Sequence, residues 1–174
     1  MGDVVIASGV VRDEGLTKDY IEASFPAVSS YELVLALEQG AEDVGASYVI
    51  GTARSTDSEH VGVGRPSVYK YFQPRHMQIL NDCERAGVLY TDRESAAVVT
   101  LCNLFGYRGG AVCAVGNNLI TGEGADPGLG QDMALATVLE GLYHLHRMDE
   151  QKLAGNKRYW VPELEQAPLA ENGK

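Results

Sequence analysis

The sequence predicts an α/β fold, in which helices alternate with the strands of a largely parallel or mixed sheet. The prediction depends first on three apolar segments rich in β-branched residues, which have the composition of buried strands. They lie at residues 4–11, 47–53 and 109–115. Helix-like segments separate these strands, and strands that alternate with helices are typical of a sheet covered by helices on its faces.

The first half of the chain predicts, in order, a strand at 4–11 with a bend or bulge at Gly9, a loop at 12–26, a helix that ends near Gly45, and a strand at 47–53. The start of the helix is indicated by Ser29, which precedes Glu32 by three residues, the spacing of a capping box. Apolar residues then repeat on one helical face. Gly45 can adopt the left-handed conformation that ends many helices.

The second half predicts, in order, a helix at 74–86, a short strand at 88–90, a helix at 94–105, a strand at 109–115, and a last helix that begins at Asp126-Pro127. The composition turns polar and proline-bearing after this helix. We therefore expect one domain over residues 1–148 and a polar tail over 149–174. The acidic pair Asp149-Glu150 is interpreted as solvated surface.

The composition argues against two classes of partner. The chain has 174 residues and a formal net charge of −10. A negative field of this kind would not attract nucleic acid or an anionic membrane. The three cysteines, Cys83, Cys102 and Cys113, are widely spaced without a C-x-x-C pair. Free thiols of this kind are typical of a reducing compartment, and the absence of an apolar segment of membrane-spanning length agrees with a cytoplasmic protein.

Polar residues are concentrated where the predicted strands end, in the loops 54–65, 91–94 and 116–123. If the strands are parallel, these loops gather at one edge of the sheet, where ligands bind in such folds. The side chains they would bring together are Asp57, Glu59, His60, Arg65, Asp92, Arg93, Glu94, Asn117 and Asn118. No nucleophile elbow, zinc-ligand spacing or dinucleotide fingerprint is present in the sequence. Carboxylates with guanidinium and amide partners suit a sugar or a heterocycle instead.

Five segments, taken in order, resemble the uridine and purine nucleoside phosphorylase family, with the uridine-cleaving members most similar. They are residues 2–15, 25–28, 53–58, 92–96 and 108–112. The resemblance runs from about residue 2 to residue 147. It implies a three-layer αβα domain with a mixed central sheet. It also implies phosphorolysis, in which a nucleoside and inorganic phosphate give a free base and a pentose 1-phosphate. The implied co-substrate is phosphate, with no cofactor and no metal, and a homo-oligomer is expected.

The resemblance implies ribose-binding residues in the turn after the strand at 88–90. Glu94 matches the family glutamate that binds the ribose 2′- and 3′-hydroxyls. Asp92 matches the first acid of the same turn, where it shapes the loop. Arg93 occupies a position where the family often has a methionine that lines the ribose. A guanidinium at this position could reach phosphate or pair with Asp92, and the sequence favours neither.

Base-binding residues are implied at three positions. Arg65 matches the arginine that binds a pyrimidine carbonyl in uridine-specific members. Val63 replaces the glutamine that completes uracil recognition in those members, and Glu59 replaces an aromatic residue that lies against the base. Asn117 stands where purine-cleaving relatives carry an acid. These departures leave the identity of the base open.

The family's N-terminal part, with its glycine-rich phosphate loop, has no counterpart before Gly2. We therefore expect a chain that is truncated relative to the family and that corresponds to its C-terminal two-thirds. Two alternatives to a phosphorylase stay open. One is a non-catalytic remnant or assembly partner of the same fold. The other, less favoured because Asn117 is no acid, is a hydrolytic nucleosidase.

Overall fold

The structure, a computed structural model, describes residues 1–124 and 128–166. The strands are β1 (Val4–Asp13), β2 (Ala27–Val28), β3 (Tyr48–Thr56), β4 (Val88–Asp92) and β5 (Val112–Ala114). The helices are α1 (Tyr31–Asp43), α2 (Pro74–Arg85), α3 (Ser95–Leu104) and α4 (Gln131–Ala154). The strands form one mixed sheet, so the predicted α/β class is confirmed.

β1 is the central strand of the sheet. β3 runs parallel to β1 on one side, and β4 runs parallel to β3. On its other side, β1 pairs antiparallel with β5 through its first residues and with β2 further along. The register between β1 and β3 shifts between Ala7 and Gly9, which is the irregularity that Gly9 predicted. A side chain at Gly9 would lie 3.4 Å from the carbonyl oxygen of Ala27.

Helices cover both faces of this sheet. On one face, Val4 and Ile6 of β1 pack against Leu37 and Ala41 of α1, and α4 packs on the same side through Val138. On the other face, a second cluster joins β1, β3 and α3 through Ala7, Val10, Ala53, Ala96 and Val99. The small residues of α3 allow that helix to lie close to the sheet. The three-layer αβα arrangement is therefore confirmed.

The start of α1 differs from the predicted capping box. Its N-cap residue is Ser30, whose side chain makes no capping hydrogen bond. Glu32 turns away from the helix end, because its carboxylate accepts hydrogen bonds from Lys152 Nζ at 2.6 Å and from the Trp160 backbone N–H at 2.9 Å. The other end of α1 agrees with the sequence, since Gly45 has a φ of +67°.

The last helix extends past the predicted domain boundary at residue 148. The predicted start at Asp126-Pro127 lies outside the described residues, and the helix is seen from Gln131 to Ala154. Asp149 forms an ion pair with Arg108 at 2.7 Å, so it is not simply solvated surface. After the helix, Trp160 packs back against the α1–α4 pair, so part of the predicted tail belongs to the folded domain.

Candidate functional site

A largely buried hydrogen-bond network fixes the turn between β4 and α3. Asp92, the last residue of β4, accepts hydrogen bonds from the hydroxyls of Ser55 and Ser95 and from the Ser95 backbone N–H. The hydroxyl of Ser55, which has no exposed surface, also accepts the Ala96 N–H at 2.8 Å. The network joins β3, β4 and the first turn of α3. Asp92 therefore points into the protein and holds the turn in place.

Glu94, two residues later, points outward. Its side chain is 72% exposed. The Arg93 backbone N–H donates to Glu94 Oε2 at 3.1 Å, and the Arg93 guanidinium lies 3.6 Å from Glu94 Oε1. The same guanidinium forms an ion pair at 2.9 Å with Glu59, in the loop after β3. Arg93 thus pairs with Glu59 and Glu94 rather than with Asp92, one of the two partners that the sequence left open.

A cleft of about 640 Å³ lies between α2, β4 and the segment after β5. Its walls include Leu80, Leu89, Tyr90, Thr91, Cys113, Asn117 and Asn118. Burial, together with the negative charges of Asp92 and Glu94, raises the pKa of the Cys113 thiol to about 11. Burial also raises the pKa of Tyr90. Both groups are therefore neutral at physiological pH, and the cleft combines a neutral interior with acidic residues close by.

Two of the predicted base-binding residues, Arg65 and Asn117, contact each other away from the β4–α3 turn. Arg65 lies in the long connection between β3 and α2, and its guanidinium donates to Asn117 Oδ1 at 3.5 Å. Asn117 also lines the cleft. Because β5 runs antiparallel to β1, the segment after β5 leaves at the amino-terminal end of β1, where Val115 pairs with Asp3. The expectation that this segment follows a third parallel strand is wrong, although Thr91 and Asn117 still line one cleft.

The six predicted site residues therefore form two contact groups. Asp92, Arg93, Glu94 and Glu59 surround the β4–α3 turn, and Arg65 contacts Asn117. Their roles in binding stay predictions. Sequence reasoning missed two residues: Ser55, which fixes the turn, and Tyr90, which forms part of the cleft wall. Ser55 was part of a recognised segment, but its partner lies 37 residues away and no local pattern connects the two.

Within the described parts of the chain, no three His, Cys, Asp or Glu side chains converge in a way that would hold a metal ion. Over the same residues, no helix combines the length and the apolar character needed to cross a membrane.

Comparison with known proteins matches residues 1–138 to the phosphorylase superfamily. The chain belongs to this family. The matched region includes β1 to β5 and reaches into α4, so both contact groups of the candidate site lie within it. The resemblance found in the five sequence segments is thereby confirmed.

Individual relatives of this phosphorylase-superfamily chain are named uridine phosphorylase or guanosine phosphorylase. A uridine phosphorylase of Thermococcus kodakarensis is 38% identical over 162 residues, which cover 93% of this chain and 58% of the relative. The Escherichia coli uridine phosphorylase is 31% identical over 66% of this chain and 46% of its own length. A guanosine phosphorylase of Halorubrum lacusprofundi is 31% identical over 72% of this chain and 48% of its own length. The chain thus spans about half the length of these curated relatives.

Proposed function

We propose that this chain takes part in the phosphorolysis of a nucleoside such as uridine, which yields the free base and a pentose 1-phosphate. The observation that carries the proposal is the turn after β4. A largely buried network fixes its backbone through Asp92, while the carboxylate of Glu94 stays exposed. A solvent-facing carboxylate on a fixed turn can accept hydrogen bonds from two neighbouring hydroxyls of a pentose. The names of the relatives support the same reaction.

In this proposal Glu94 binds the ribose 2′- and 3′-hydroxyls, Asp92 supports the turn from inside the protein, and Arg93 lies beside the sugar. Phosphate attacks the anomeric carbon of the ribose as the bond to the base nitrogen breaks. The bonding electrons leave with the base. Positive charge develops on the sugar in the transition state, as in other glycosyl transfers, and negative charge develops on the base.

Arg65, Asn117 and Glu59 form the base side of the proposed site. Because Arg65 donates to the Asn117 side-chain oxygen, the amide nitrogen of Asn117 and the other guanidinium N–H groups remain as donors. Donors in this position would stabilise negative charge on carbonyl oxygens of the departing base. This favours bases with carbonyl groups, such as uracil or guanine.

We further propose inorganic phosphate as co-substrate without an additional cofactor, a cytoplasmic location, and a homo-oligomer with neither nucleic acid nor membrane as partner. The free thiols of Cys83, Cys102 and Cys113 support a reducing compartment. A stripe of exposed leucines on α4, at Leu135, Leu139 and Leu142, supports self-association.

The test is base release by the purified chain from uridine, guanosine and inosine, with and without phosphate. We expect release that requires phosphate and that forms pentose 1-phosphate in equal amount. Release without phosphate would replace the proposal with a hydrolase. If no nucleoside is cleaved but nucleosides raise the melting temperature, the chain is a binding or assembly module of the same fold.

A further inference from the structure

Arg93 connects two segments that are far apart in the sequence. Its guanidinium pairs with Glu59 in the loop after β3 at 2.9 Å and lies 3.6 Å from Glu94 in the turn after β4. Its backbone N–H donates to the second carboxylate oxygen of Glu94 at 3.1 Å. One residue therefore touches both oxygens of Glu94 and the carboxylate of Glu59.

These contacts join the two sides of the proposed site. The loop after β3 carries Glu59 and continues to Arg65 on the base side, while the turn after β4 carries Glu94 on the ribose side. Resting on the proposed function, we propose that Arg93 is a positioning residue. It holds the Glu94 carboxylate in the orientation that receives the ribose hydroxyls, and it ties the base-side loop to the ribose-side turn.

The chemistry of the contacts favours positioning over a direct role in bond breaking. An arginine can bridge two carboxylates because its Nε and terminal nitrogens donate in different directions. The terminal nitrogen of Arg93 is used for Glu59 and its Nε faces Glu94. A methionine at this position would keep the backbone N–H contact to Glu94 Oε2, but its side chain could pair with neither carboxylate. Fixing a ligand group before binding lowers the cost of ordering it, which improves affinity more than the rate of the bound complex.

The exposure of these side chains predicts a dependence on salt. The side chains of Arg93, Glu59 and Glu94 are 51%, 65% and 72% exposed, so solvent ions screen their interactions. Exposed ion pairs contribute modestly, and two together correspond to a change in affinity of roughly three- to tenfold. High salt should therefore weaken nucleoside binding by the wild-type chain and should have little effect once Arg93 is removed.

The experiment compares Arg93→Met, Glu59→Gln and the double variant with the wild type, using Arg85→Met as a control. Arg85 is exposed at the end of α2 and lies outside the site. Arg85→Met therefore removes one positive charge, as Arg93→Met does, without changing a contact of the site. Uridine and guanosine are titrated by calorimetry at low and high salt, and KM and kcat are measured with phosphate. We expect Arg93→Met to raise Kd and KM roughly three- to tenfold and to leave kcat within about twofold.

Glu59→Gln should have a smaller effect of the same kind, and the double variant should be no worse than Arg93→Met, because the two residues share one contact. Unchanged Kd and KM in Arg93→Met would overturn the inference while leaving the proposed function intact. So would a fall in kcat at constant KM, or an equal loss in Arg85→Met. If the wild-type chain neither binds nor cleaves a nucleoside, the proposed function fails, and the inference fails with it.

Discussion

Asp92 and Glu94 are two positions apart in the sequence and have opposite environments. Three hydrogen bonds from Ser55 and Ser95 hold Asp92 inside the protein, whereas Glu94 is exposed to solvent. The difference arises because the strand continues to Asp92 and the helix begins at Ser95. The chain reverses between them, so the first carboxylate stabilises the turn and the second faces solvent, in contact with Arg93.

Replacement of Glu94 by alanine should lower kcat/KM for phosphorolysis by at least about two orders of magnitude, in line with the loss of one strong polar contact in a transition state. Steady-state kinetics with saturating phosphate would measure the effect. Glu140→Ala removes an exposed carboxylate on α4 and should leave the rate unchanged. A normal rate in Glu94→Ala would exclude the ribose role proposed for this residue.

Substitution of Ser55 by alanine should destabilise the fold by about 1–3 kcal/mol, because the buried Ala96 N–H and the Asp92 carboxylate each lose a partner. Denaturant unfolding followed by circular dichroism would measure this free energy. Ser24 is exposed, and Ser24→Ala provides the matched control, with an expected change near zero. Equal stability of the two variants would contradict the structural role of the network.

At the level of elements, the packing of α1 on α4 depends on two glycines that meet where the helices cross. A side-chain carbon at Gly40 would lie 2.5 Å from the Gly141 nitrogen and 2.6 Å from the Thr137 carbonyl oxygen. One at Gly141 would lie 3.0 Å from Leu37 Cα. These are mostly backbone atoms, which cannot rotate away. The glycines therefore allow a close approach that positions α4 beneath β1 and β5.

Gly40→Ala should destabilise the chain even though alanine favours a helix by about 1 kcal/mol over glycine. Because the clash is with backbone atoms, forcing the helices apart should cost about 2–3 kcal/mol, the upper part of the range for overpacking, so we expect a net loss of about 1–2 kcal/mol. Thermal unfolding would show the lower melting temperature. Gly124→Ala serves as the control, since no atom of the described residues lies within 4 Å of the added carbon. A melting temperature for Gly40→Ala at or above that of the wild type would show that the helices can separate without cost.

Across the whole molecule, Glu32 joins parts of the chain that are distant in sequence. Besides Lys152 and the Trp160 backbone, it lies 3.4 Å from Arg108, in the connection between α3 and β5. The Trp160 indole donates to Gln151 at 2.6 Å, and Tyr31 donates to the Trp160 carbonyl at 3.0 Å. Glu32 is thus the centre of a cluster that fixes the segment after α4 onto the α1–α4 pair.

The cluster predicts loss of stability in acid. Burial alone would raise the pKa of Glu32, but the Lys152 ammonium, the Trp160 N–H and the Arg108 charge outweigh it and lower the pKa below 4.5. The Glu32 carboxyl has a pKa near 4.5 in the unfolded chain and a lower pKa in the folded chain. At a pH between these two pKa values the unfolded chain binds more protons than the folded chain, so stability rises with pH there. The contribution is complete above pH 4.5 and is lost as the pH falls through the lowered value.

Trp160 is the only tryptophan, so its fluorescence should shift to longer wavelength as the cluster opens below pH 4.5. Glu32→Gln should lower the free energy of unfolding at neutral pH by about 1–3 kcal/mol. As the pH falls below 4.5, the variant should lose less of its remaining stability than the wild type does.

The acid-dependent loss that remains in the variant is assigned to Asp149 and Asp3. Burial opposes ionisation of Asp149, but the Arg108 and Lys152 contacts outweigh it and lower its pKa. The Ser47 hydroxyl and the N-terminal ammonium lower the pKa of Asp3. If Glu32→Gln and wild type have the same acid profile, Glu32 is not the group that titrates.

Local patterns were sufficient for much of the fold. Alternation of apolar strands with helices predicted the α/β class, Gly9 predicted the irregularity in β1, and Gly45 predicted the end of α1. These features depend on backbone preference and on periodicities of a few residues, which are visible in any single sequence. The segments that resemble the phosphorylase family were also sufficient to identify it, since their order does not depend on packing.

Most of the helices and strands, the family and a set of candidate site residues could be predicted from the sequence alone. The folded structure was needed to establish that β5 runs antiparallel to β1, that Arg93 pairs with Glu59, and that Glu32 binds the C-terminal segment rather than forming a capping box. Those partners are brought together only by the folded chain, as for Glu32 and Trp160, 128 residues apart. A carboxylate can be recognised in a sequence, but its orientation is set by the charges and donors that folding places around it.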